Sequence, residues 1–374
     1  MSDGCPSRLW PFVVATVFSC ATPSDQQAQG AGEWRTDFSR HTVPLEEIVS
    51  GGPPRDGIPA IDRPTFEPVR SADRWIANRE PVIVVEHAGE ARAYPLQILL
   101  WHEIVNDRLG DLPVAVTYCP LCNTALVFDR RHGGRILDFG TTGRLRHSDL
   151  VMYDRQTESW WQQATGEAIV GVLAGDTLRW LEAQTVSWKE FKEAHPEGKV
   201  LSRETGFSRP YGTNPYKGYD APGGSPLAGF FRAKRDDRLP AMERVVAVRA
   251  GSEPVAYPFS RLREVRVVND VANGRPLVVF WVPGTASALD ASRIEAGRDV
   301  GATGVFDRRV NGRTLRFEPA GEGTFRDRET STTWSLRGRG ISGPLRGTRL
   351  SAVPAGDYFW FAWAVFRPET RVWR

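Results

Sequence analysis

The sequence predicts a mainly β protein with short helices, in the α+β class, built from two pseudo-symmetric copies of one β-rich module. Three observations predict this fold class. Pro and Gly are plentiful, at 27 and 36 of 374 residues, and runs of helix-favouring residues are short. Short apolar runs alternate with turn residues, which is typical of strands. Several motifs also occur twice in the same order, which indicates an internal repeat.

The composition limits the class of protein. With 41% hydrophobic and 25% charged residues, it is that of a soluble globular protein and excludes a disordered or collagen-like chain. A length of 374 residues is enough for two domains. The formal net charge of +3 comes from scattered Lys and Arg residues, not from a basic stripe. We therefore expect no nucleic-acid partner.

The N-terminus has the pattern of an export signal. Arg8 precedes an apolar run at 9–19, and Cys20 follows this run. The run is too short for a membrane span and fits the core of a signal peptide. The residues before Cys20 resemble a bacterial lipoprotein cleavage box. We therefore expect an exported, periplasmic or extracytoplasmic protein that is anchored to the membrane by lipidated Cys20. Simple secretory cleavage and an uncleaved anchor are the alternatives.

Two stretches of the chain carry the same series of motifs. Tyr94 and Asp107 lie in Ala-Tyr-Pro and Val-Asn-Asp motifs, and Tyr257 and Asp270 lie in the same motifs at one common offset. The series continues with Phe128 and Phe306, Asp154 and Asp327, Trp161 and Trp334, and Trp188 and Trp360. Chance does not explain so many ordered matches, so we interpret them as two diverged copies of one module.

The repeat sets the predicted domain organisation. Residues 1–20 form the signal peptide, 21–44 a polar tether, 45–79 an N-terminal arm, 80–201 the first module, 202–242 a connection and 243–373 a degenerate second module. In the first module, strands are predicted at 82–86, 90–94, 114–118, 124–129, 135–139 and 150–154, and short helices at 96–103 and 188–194. Two copies are too few for a solenoid, so we expect a pair of modules that share an interface.

Differences between the copies separate chemistry from scaffold. A side chain that one copy lacks cannot be required by the shared fold. In the second copy, the counterparts of Cys119, Cys122, His102 and Glu103 are Val282, Thr285, Val265 and Arg266, whereas Pro120 persists as Pro283. The segment 147–152 also has no polar counterpart. The sequence therefore predicts a functional site in the first module only.

The pair Cys119 and Cys122 forms a Cys-x-x-Cys motif on a turn between two apolar strands. This spacing allows two sulfurs to hold a soft metal ion or to form a reversible disulfide. A thioredoxin-like motif would be followed by a helix, whereas 124–128 reads as a strand, so the context favours metal. Asn123 stands where a c-type haem motif needs His, so we expect neither haem nor nucleotide.

A metal site needs ligands beyond the two cysteines. His102 is the first choice, because it lies shortly before the Cys-containing strand; His147 and Met152 are weaker candidates. The predicted metal ligands are thus Cys119, Cys122 and His102, and such a set suits copper or zinc. The plain alternatives are that each His is a satisfied polar residue and that Met152 belongs to the core.

Two flanking segments also carry candidate residues. Asp56 and Asp62, in the rigid Gly- and Pro-rich arm, could reach the site, or the arm could cap an exposed sheet edge. The stretch 202–219 interleaves Arg and Tyr residues. It could contact an anion or ligand, or it could be a strap between the modules.

Several motifs together resemble the DUF3179 family. They are Gly-Gly-Pro-Pro at 51–54, Asp-Gly-Ile-Pro at 56–59, Ala-Tyr-Pro at 93–95, and the segments 102–107, 118–123, 148–155, 361–363 and 368–370. The similarity covers residues 45–373, and His147 stands where the family usually carries Asn. The resemblance implies a domain of unknown function that often follows an export signal, and it supplies no reaction.

Three functions remain open from the sequence. The first is a metal-binding envelope protein, either a copper or zinc carrier or a metalloenzyme. The second is a thiol-disulfide protein that uses Cys119 and Cys122. The third is a binding or interaction protein whose cysteines are a structural staple. No carboxylate pair or Ser-His-Asp arrangement stands out, so the catalytic residues are unknown, and the partner is an unknown small molecule or envelope protein.

Overall fold

The computed structural model describes residues 34–249 and 253–374. The predicted signal peptide, Cys20 and most of the tether lie outside these described residues. Residues Thr36–Arg374 form one compact unit. This unit is mostly β with short helices, which confirms the predicted mainly β class.

The strands of the first half are β1 (Ile48–Ser50), β2 (Phe66–Pro68), β3 (Pro81–His87), β4 (Glu90–Pro95), β5 (Ile104–Leu109), β6 (Leu112–Cys119), β7 (Thr124–Asp129), β8 (Arg131–His132), β9 (Arg135–Ile136), β10 (Phe139–Arg146), β11 (Asp149–Asp154), β12 (Trp160–Gln162), β13 (Glu167–Val170), β14 (Trp180–Leu181), β15 (Gln184–Ser187) and β16 (Lys199–Leu201). Its helices are α1 (Val69–Ala72), α2 (Leu96–His102) and α3 (Trp188–Ala194).

The strands of the second half are β17 (Arg244–Val248), β18 (Val255–Pro258), β19 (Val267–Ala272), β20 (Arg275–Val282), β21 (Ala302–Asp307), β22 (Arg309–Val310), β23 (Arg313–Thr314), β24 (Phe317–Gly321), β25 (Thr324–Asp327), β26 (Thr333–Ser335), β27 (Gly340–Ser342), β28 (Ser351–Ala352), β29 (Ala355–Phe359) and β30 (Arg371–Val372). Its helices are α4 (Phe259–Val265) and α5 (Trp360–Ala364). Short 3₁₀ turns occur at Leu45–Glu47, Pro120–Cys122 and Ile294–Ala296.

One predicted strand, 135–139, was confirmed only at its two ends. The chain pairs only at Arg135–Ile136, leaves the hairpin, and starts the long strand β10 at Phe139. The Arg130 guanidinium lies at this break and donates to the Leu137 carbonyl at 3.0 Å. Leu137 is buried in the core. A side chain thus takes the place of a backbone partner and turns the chain.

The main sheets of the two halves have similar strand orders. In the first half they are β15-β3-β4-β16-β2, β14-β7-β6-β5 and β1-β10-β11-β12-β13. In the second half they are β29-β17-β18-β30, β19-β20-β21-β28 and β24-β25-β26-β27. Most pairs are antiparallel, while β16 with β4 and β30 with β18 are parallel.

Buried hydrogen bonds recur at the positions that the repeat aligns. A buried Tyr hydroxyl or Trp ring N–H needs a partner, and a carboxylate is the strongest acceptor available. These bonds join Tyr94 to Asp107, Tyr257 to Asp270, Trp161 to Asp154 and Trp334 to Asp327, at 2.6 to 2.9 Å. The scaffold role expected for these residues therefore has a physical basis in each half.

The core is shared by the two halves. One apolar cluster joins Val116 and Trp161 to Val245 and Tyr358. A second joins residues of β3 to Phe280 and Trp334. Because each cluster takes side chains from both halves, we expect the unit to unfold in one transition.

The N-terminal arm caps an edge strand of the first half. The Ile61 N–H donates to the Ile104 carbonyl, and the Asn106 N–H donates to the Ile61 carbonyl, both at 2.9 Å. Strand β5 is at the edge of its sheet, so the arm satisfies backbone groups that would otherwise be open. Among residues 34–249 and 253–374, no helix has the length and apolar character to cross a membrane.

Candidate functional site

The two cysteines lie on a tight turn between β6 and β7. Strand β6 ends at Cys119, one 3₁₀ turn follows at Pro120–Cys122, and Asn123 reverses the chain in the left-handed region at φ 51°. Asn tolerates this conformation better than most residues. The structure thus has the predicted strand, turn, strand arrangement. Both cysteines are free and fully buried.

Asp149 reaches the same place from a different hairpin. Strands β10 and β11 are joined by His147 and Ser148, at φ 52° and 71°, and the register pairs Arg146 with Asp149. Positive φ at both turn residues is the geometry of a tight two-residue hairpin. Asp149 is fully buried, and its Oδ2 accepts hydrogen bonds from the Gln162 side chain and from the backbone N–H of residue 164. Its Oδ1 has no partner among the described residues.

Cys119, Cys122 and Asp149 converge on one point. Their two sulfurs and one carboxylate oxygen all lie within 4.8 Å of one another. Zinc holds thiolates at about 2.3 Å and carboxylate oxygens at about 2.0 to 2.2 Å, so ligand atoms in a tetrahedral shell lie roughly 3.5 to 4 Å apart. A contraction of about one ångström would therefore close a metal shell.

A second buried carboxyl group lies beside this cluster. Glu103 follows α2 in the left-handed region at φ 58°, and it is buried. Burial, and then the charge of Asp149, raise the pKa of Glu103 to about 8. Burial raises the pKa of Asp149 to about 6 and raises the pKa of both thiols above their usual value.

These four acidic groups have no cationic partner. Among the described residues, no Lys, Arg or His side chain makes a hydrogen bond or ion pair with Cys119, Cys122, Asp149 or Glu103. Buried acids without a counter-charge favour their neutral forms, which is why each pKa rises. A bound cation would reverse that preference, because it stabilises the thiolate and carboxylate forms.

The predicted ligand His102 lies outside the three-residue cluster. Its Nδ1 is 2.8 Å from the Pro59 carbonyl oxygen, and its Nε2 is 2.6 Å from the Tyr211 hydroxyl. Both ring nitrogens are therefore engaged. His102 as a ligand stays a prediction, and the carboxylate of Asp149 is the group that the structure places beside the sulfurs.

The weaker candidates have other neighbours. His147 Nε2 lies 3.1 Å from Glu47, and Met152 is buried in the core on β11. In the arm, Asp56 accepts a hydrogen bond from the Tyr153 hydroxyl and Asp62 accepts one from the Asn106 amide. None of these residues belongs to the cluster.

The connection between the halves covers the site. The Tyr219 hydroxyl donates to the Leu121 carbonyl, within the Cys-x-x-Cys turn, at 2.9 Å. Burial, and then the nearby thiols, raise the pKa of Tyr219 above its usual value. Arg203 lies over the Trp75 ring and donates to Gln97, which favours the strap interpretation for the start of this segment.

One family model covers most of the chain. Its description is "Protein of unknown function (DUF3179)", and it matches residues 55–370. The chain belongs to the DUF3179 family. This confirms the family that the motifs indicate. No curated protein and no solved structure matches this DUF3179 protein. The matched residues include Glu103, both cysteines and Asp149.

Sequence reasoning missed Asp149 and Glu103 as site residues, although a signal for Glu103 was present. The expectation that the segment 147–152 has no polar counterpart was wrong, because Asp149 aligns with Glu322 in the register that aligns Asp154 with Asp327 in this DUF3179 protein. Glu103 is replaced in the second half by Arg266. His102 was predicted instead, because a nitrogen ligand was expected near the cysteines.

The corresponding place in the second half has a different character. Arg266 has the same left-handed backbone as Glu103, at φ 65°, and its guanidinium lies 4.6 Å from the centre of the Trp281 ring. A cavity there is lined by Arg266, Trp281 and Val282. The frame of the turn persists and the thiols are absent, while Glu322, which aligns with Asp149, also lines this cavity beside Arg266.

The raised carboxyl pKa values predict a pH dependence for the metal-free protein. Because the pKa of Glu103 is raised to about 8 in the fold, from a usual 4.5, the folded state holds its proton where the unfolded state has lost it. Its contribution to stability is therefore present below pH 4.5 and declines as the pH rises to 8.

We expect Glu103→Gln to remove this decline. Relative to the wild type, the variant should gain stability between pH 5 and pH 8.5, by a few kcal/mol at most, since one pKa unit is worth about 1.4 kcal/mol. Urea denaturation with a chelator present measures the difference. A wild type and a variant with parallel pH profiles would show that Glu103 does not titrate abnormally.

Proposed function

We propose that this DUF3179 protein binds one metal ion, zinc in preference to copper, through Cys119, Cys122 and Asp149. The observation that supports the proposal is the convergence of two sulfurs and a carboxylate oxygen within 4.8 Å in a buried place where no cationic side chain of the described residues is bonded to them. Carboxylate oxygen suits zinc, whereas copper(I) prefers an all-sulfur or sulfur and imidazole shell.

The ligand count bears on what the metal would do. Three protein ligands leave one position of a tetrahedral shell open, as in catalytic zinc sites, where water or substrate takes that position. Glu103 lies close enough for the charge of Asp149 to raise its pKa and for its own charge to raise the pKa of Cys119. The pKa of Glu103 is about 8 without a cation, and a bound zinc ion would lower it from there, so that Glu103 could accept a proton near neutral pH. The proposal is therefore a metalloenzyme or, with the open position used for exchange, a metal carrier.

Thiol-disulfide chemistry is the second candidate, and it has weaker support. The two cysteines share one turn and are free, as a redox pair requires. A reactive thiol, however, needs a lowered pKa, and burial raises the pKa of both Cys119 and Cys122. A metal ion removes this difficulty, because it deprotonates the thiols that it binds.

Asp149→Asn tests the ligand set. The amide retains the shape of the side chain but is a poor zinc ligand, so we expect zinc affinity to fall by more than about tenfold. Changes to residues that only contact the ligands already lower metal affinity by about ten- to a hundredfold. Competition with a chromogenic chelator measures the affinity. Elemental analysis of the same samples reports whether zinc or copper is bound.

Asp357→Asn is the matched control for this variant. Asp357 is also an acidic residue of the interior, with partial exposure, burial also raises its pKa to about 6, and it accepts a hydrogen bond from Thr303 at 3.1 Å. We expect wild-type zinc affinity for Asp357→Asn. Equal affinities for Asp149→Asn and the wild type would remove Asp149 from the ligand set.

We also propose that the protein is exported and attached to the membrane through Cys20. The support is the sequence pattern of an apolar run that ends at Cys20 and continues into a polar segment. We expect the wild type in the membrane fraction and Cys20→Ala outside it. Cys5→Ala, earlier in the leader, should fractionate as the wild type does. Membrane attachment of Cys20→Ala would refute the lipid anchor.

We further propose that the two halves are diverged copies that pack reciprocally. The repeat aligns Leu126 with Gly304 and Gln184 with Gly356. A side chain at Gly304 would meet Gln184 at 2.7 Å, and one at Gly356 would meet Leu126 at 2.8 Å. The same pair of positions thus meets twice, each time with one glycine, as a two-fold relation requires. Superposition of the halves in an experimental structure, with Tyr94 over Tyr257, is the test.

A further inference from the structure

Arg337 is a buried guanidinium with unused donors. It lies between β26 and β27, and its side chain is 9% exposed. Its Nη2 donates to the Glu86 carboxylate. Its Nε and Nη1 are inaccessible to solvent and have no hydrogen-bond partner among the described residues. Leaving such donors unpaired is unfavourable, so this arrangement lowers the stability of the fold.

Glu86 does not balance the local charge. Its carboxylate is shared by Arg337, by Arg349 at 2.6 Å and by His195 at 3.2 Å. One carboxylate therefore contacts two permanent positive charges, and Glu190 is a second negative charge that acts on Arg337. Among the described residues, no hydrogen bond joins Glu190 to the unpaired N–H groups of Arg337.

Arg337 borders a cavity of about 490 Å³. This volume lies within the range of small-molecule sites. The cationic residues that line it are Arg337, Arg339, Arg346, Arg349 and Lys189. The acidic residues that line it are Glu190, Glu193 and Glu322. The lining is thus positive on balance, and Arg339 and Arg346 are exposed and make no ion pair with a described residue.

The arginine is particular to the second half. Arg337 stands three residues after Trp334, and the first half has Ala164 three residues after Trp161. The shared fold does not require a cation at this position. Comparing aligned positions of the two halves identified the cysteines as particular to the first half. The same comparison identifies Arg337 as particular to the second half.

We infer that this cavity binds an oxyanion, a phosphate or sulfate group, through Arg337, Arg339 and Arg346. A guanidinium presents parallel N–H donors that match two oxygens of such a group. A small shift of the Arg337 side chain would open its inaccessible donors to the cavity, where an anion would satisfy them and neutralise part of the positive charge of the lining. The site is separate from the cysteine cluster and does not depend on the metal proposed there.

Calorimetric titration of the full chain with inorganic phosphate, inorganic sulfate and glycerol phosphate, at constant ionic strength, tests the inference. We expect saturable binding of at least one of them. Tighter binding of the ester would show that the group belongs to a larger ligand, and tighter binding of an inorganic ion would show a free anion; either supports the site.

Three variants locate the binding. Arg337→Lys retains the charge next to Glu86 but loses the fork of donors, while Arg339→Gln and Arg346→Gln alter exposed positions that folding does not need. Each should weaken binding by about ten- to a hundredfold, the loss of one charge-assisted hydrogen bond. Arg313→Gln, an exposed arginine of another hairpin, should leave binding unchanged. Absence of saturable binding, or equal binding by all four variants, would overturn the inference.

Discussion

Cys119→Ser and Cys122→Ser are each expected to lower zinc affinity by more than about a hundredfold, beyond the loss that follows from changes to second-layer residues. The thiolate is the group that binds a soft or borderline metal, and a serine hydroxyl is not ionised near neutral pH. The bound zinc should fall from one ion per chain to a small fraction. Elemental analysis after dialysis measures the stoichiometry.

Ser148→Ala is the control for this experiment. Ser148 lies next to Asp149, its hydroxyl is buried and has no hydrogen-bond partner in the described part of the chain, and its carbonyl accepts the contact from Cys119. The change disturbs the same place but removes no proposed ligand, so zinc binding should persist. A Cys119→Ser protein that retains one tightly bound zinc would contradict the ligand assignment.

Trp161→Ala and Trp334→Ala are expected to cause the largest losses of stability, about 3 to 5 kcal/mol each. Both rings are fully buried, and each ring N–H donates to a buried aspartate, Asp154 or Asp327, which the change leaves short of a partner. Urea denaturation measures the free energy of unfolding. Since two apolar clusters contain side chains from both halves, each variant should shift one common unfolding transition.

Trp161→Phe and Trp334→Phe separate packing from hydrogen bonding. Each retains most of the ring but loses the donor, so we expect a smaller loss, about 1 to 3 kcal/mol. If only one half melts in a Trp→Ala variant while the other keeps its transition, the shared core is not the unit of stability.

Local patterning was enough for part of the first half. Strands at 124–129 and near 82–86 and the helix Trp188–Ala194 follow apolar runs bounded by turn residues, and the structure has them within a residue or two. The error at 135–139 arose because Arg130, distant by several residues, supplies the hydrogen bond that ends the strand. Such a side-chain partner cannot be read from strand periodicity.

The candidate site was predictable in part for a similar reason. The Cys-x-x-Cys turn is local, so its two sulfurs and the following strand could be predicted from spacing. The third group depends on how the β10–β11 hairpin packs on the Cys turn, which is a tertiary contact. The comparison of the two halves indicated Glu103, which Arg266 replaces, but it could not rank Glu103 above His102, and it did not distinguish Asp149 from its acidic counterpart Glu322.

The most direct test of the central claim is X-ray absorption at the zinc edge on the purified full chain after loading with one equivalent of zinc. We expect two sulfur ligands at about 2.3 Å and oxygen or nitrogen ligands at about 2.0 to 2.2 Å, the shell that Cys119, Cys122 and Asp149 would form with one open position. A shell without sulfur, or a protein that takes up no zinc because Cys119 and Cys122 form a disulfide, would contradict the account.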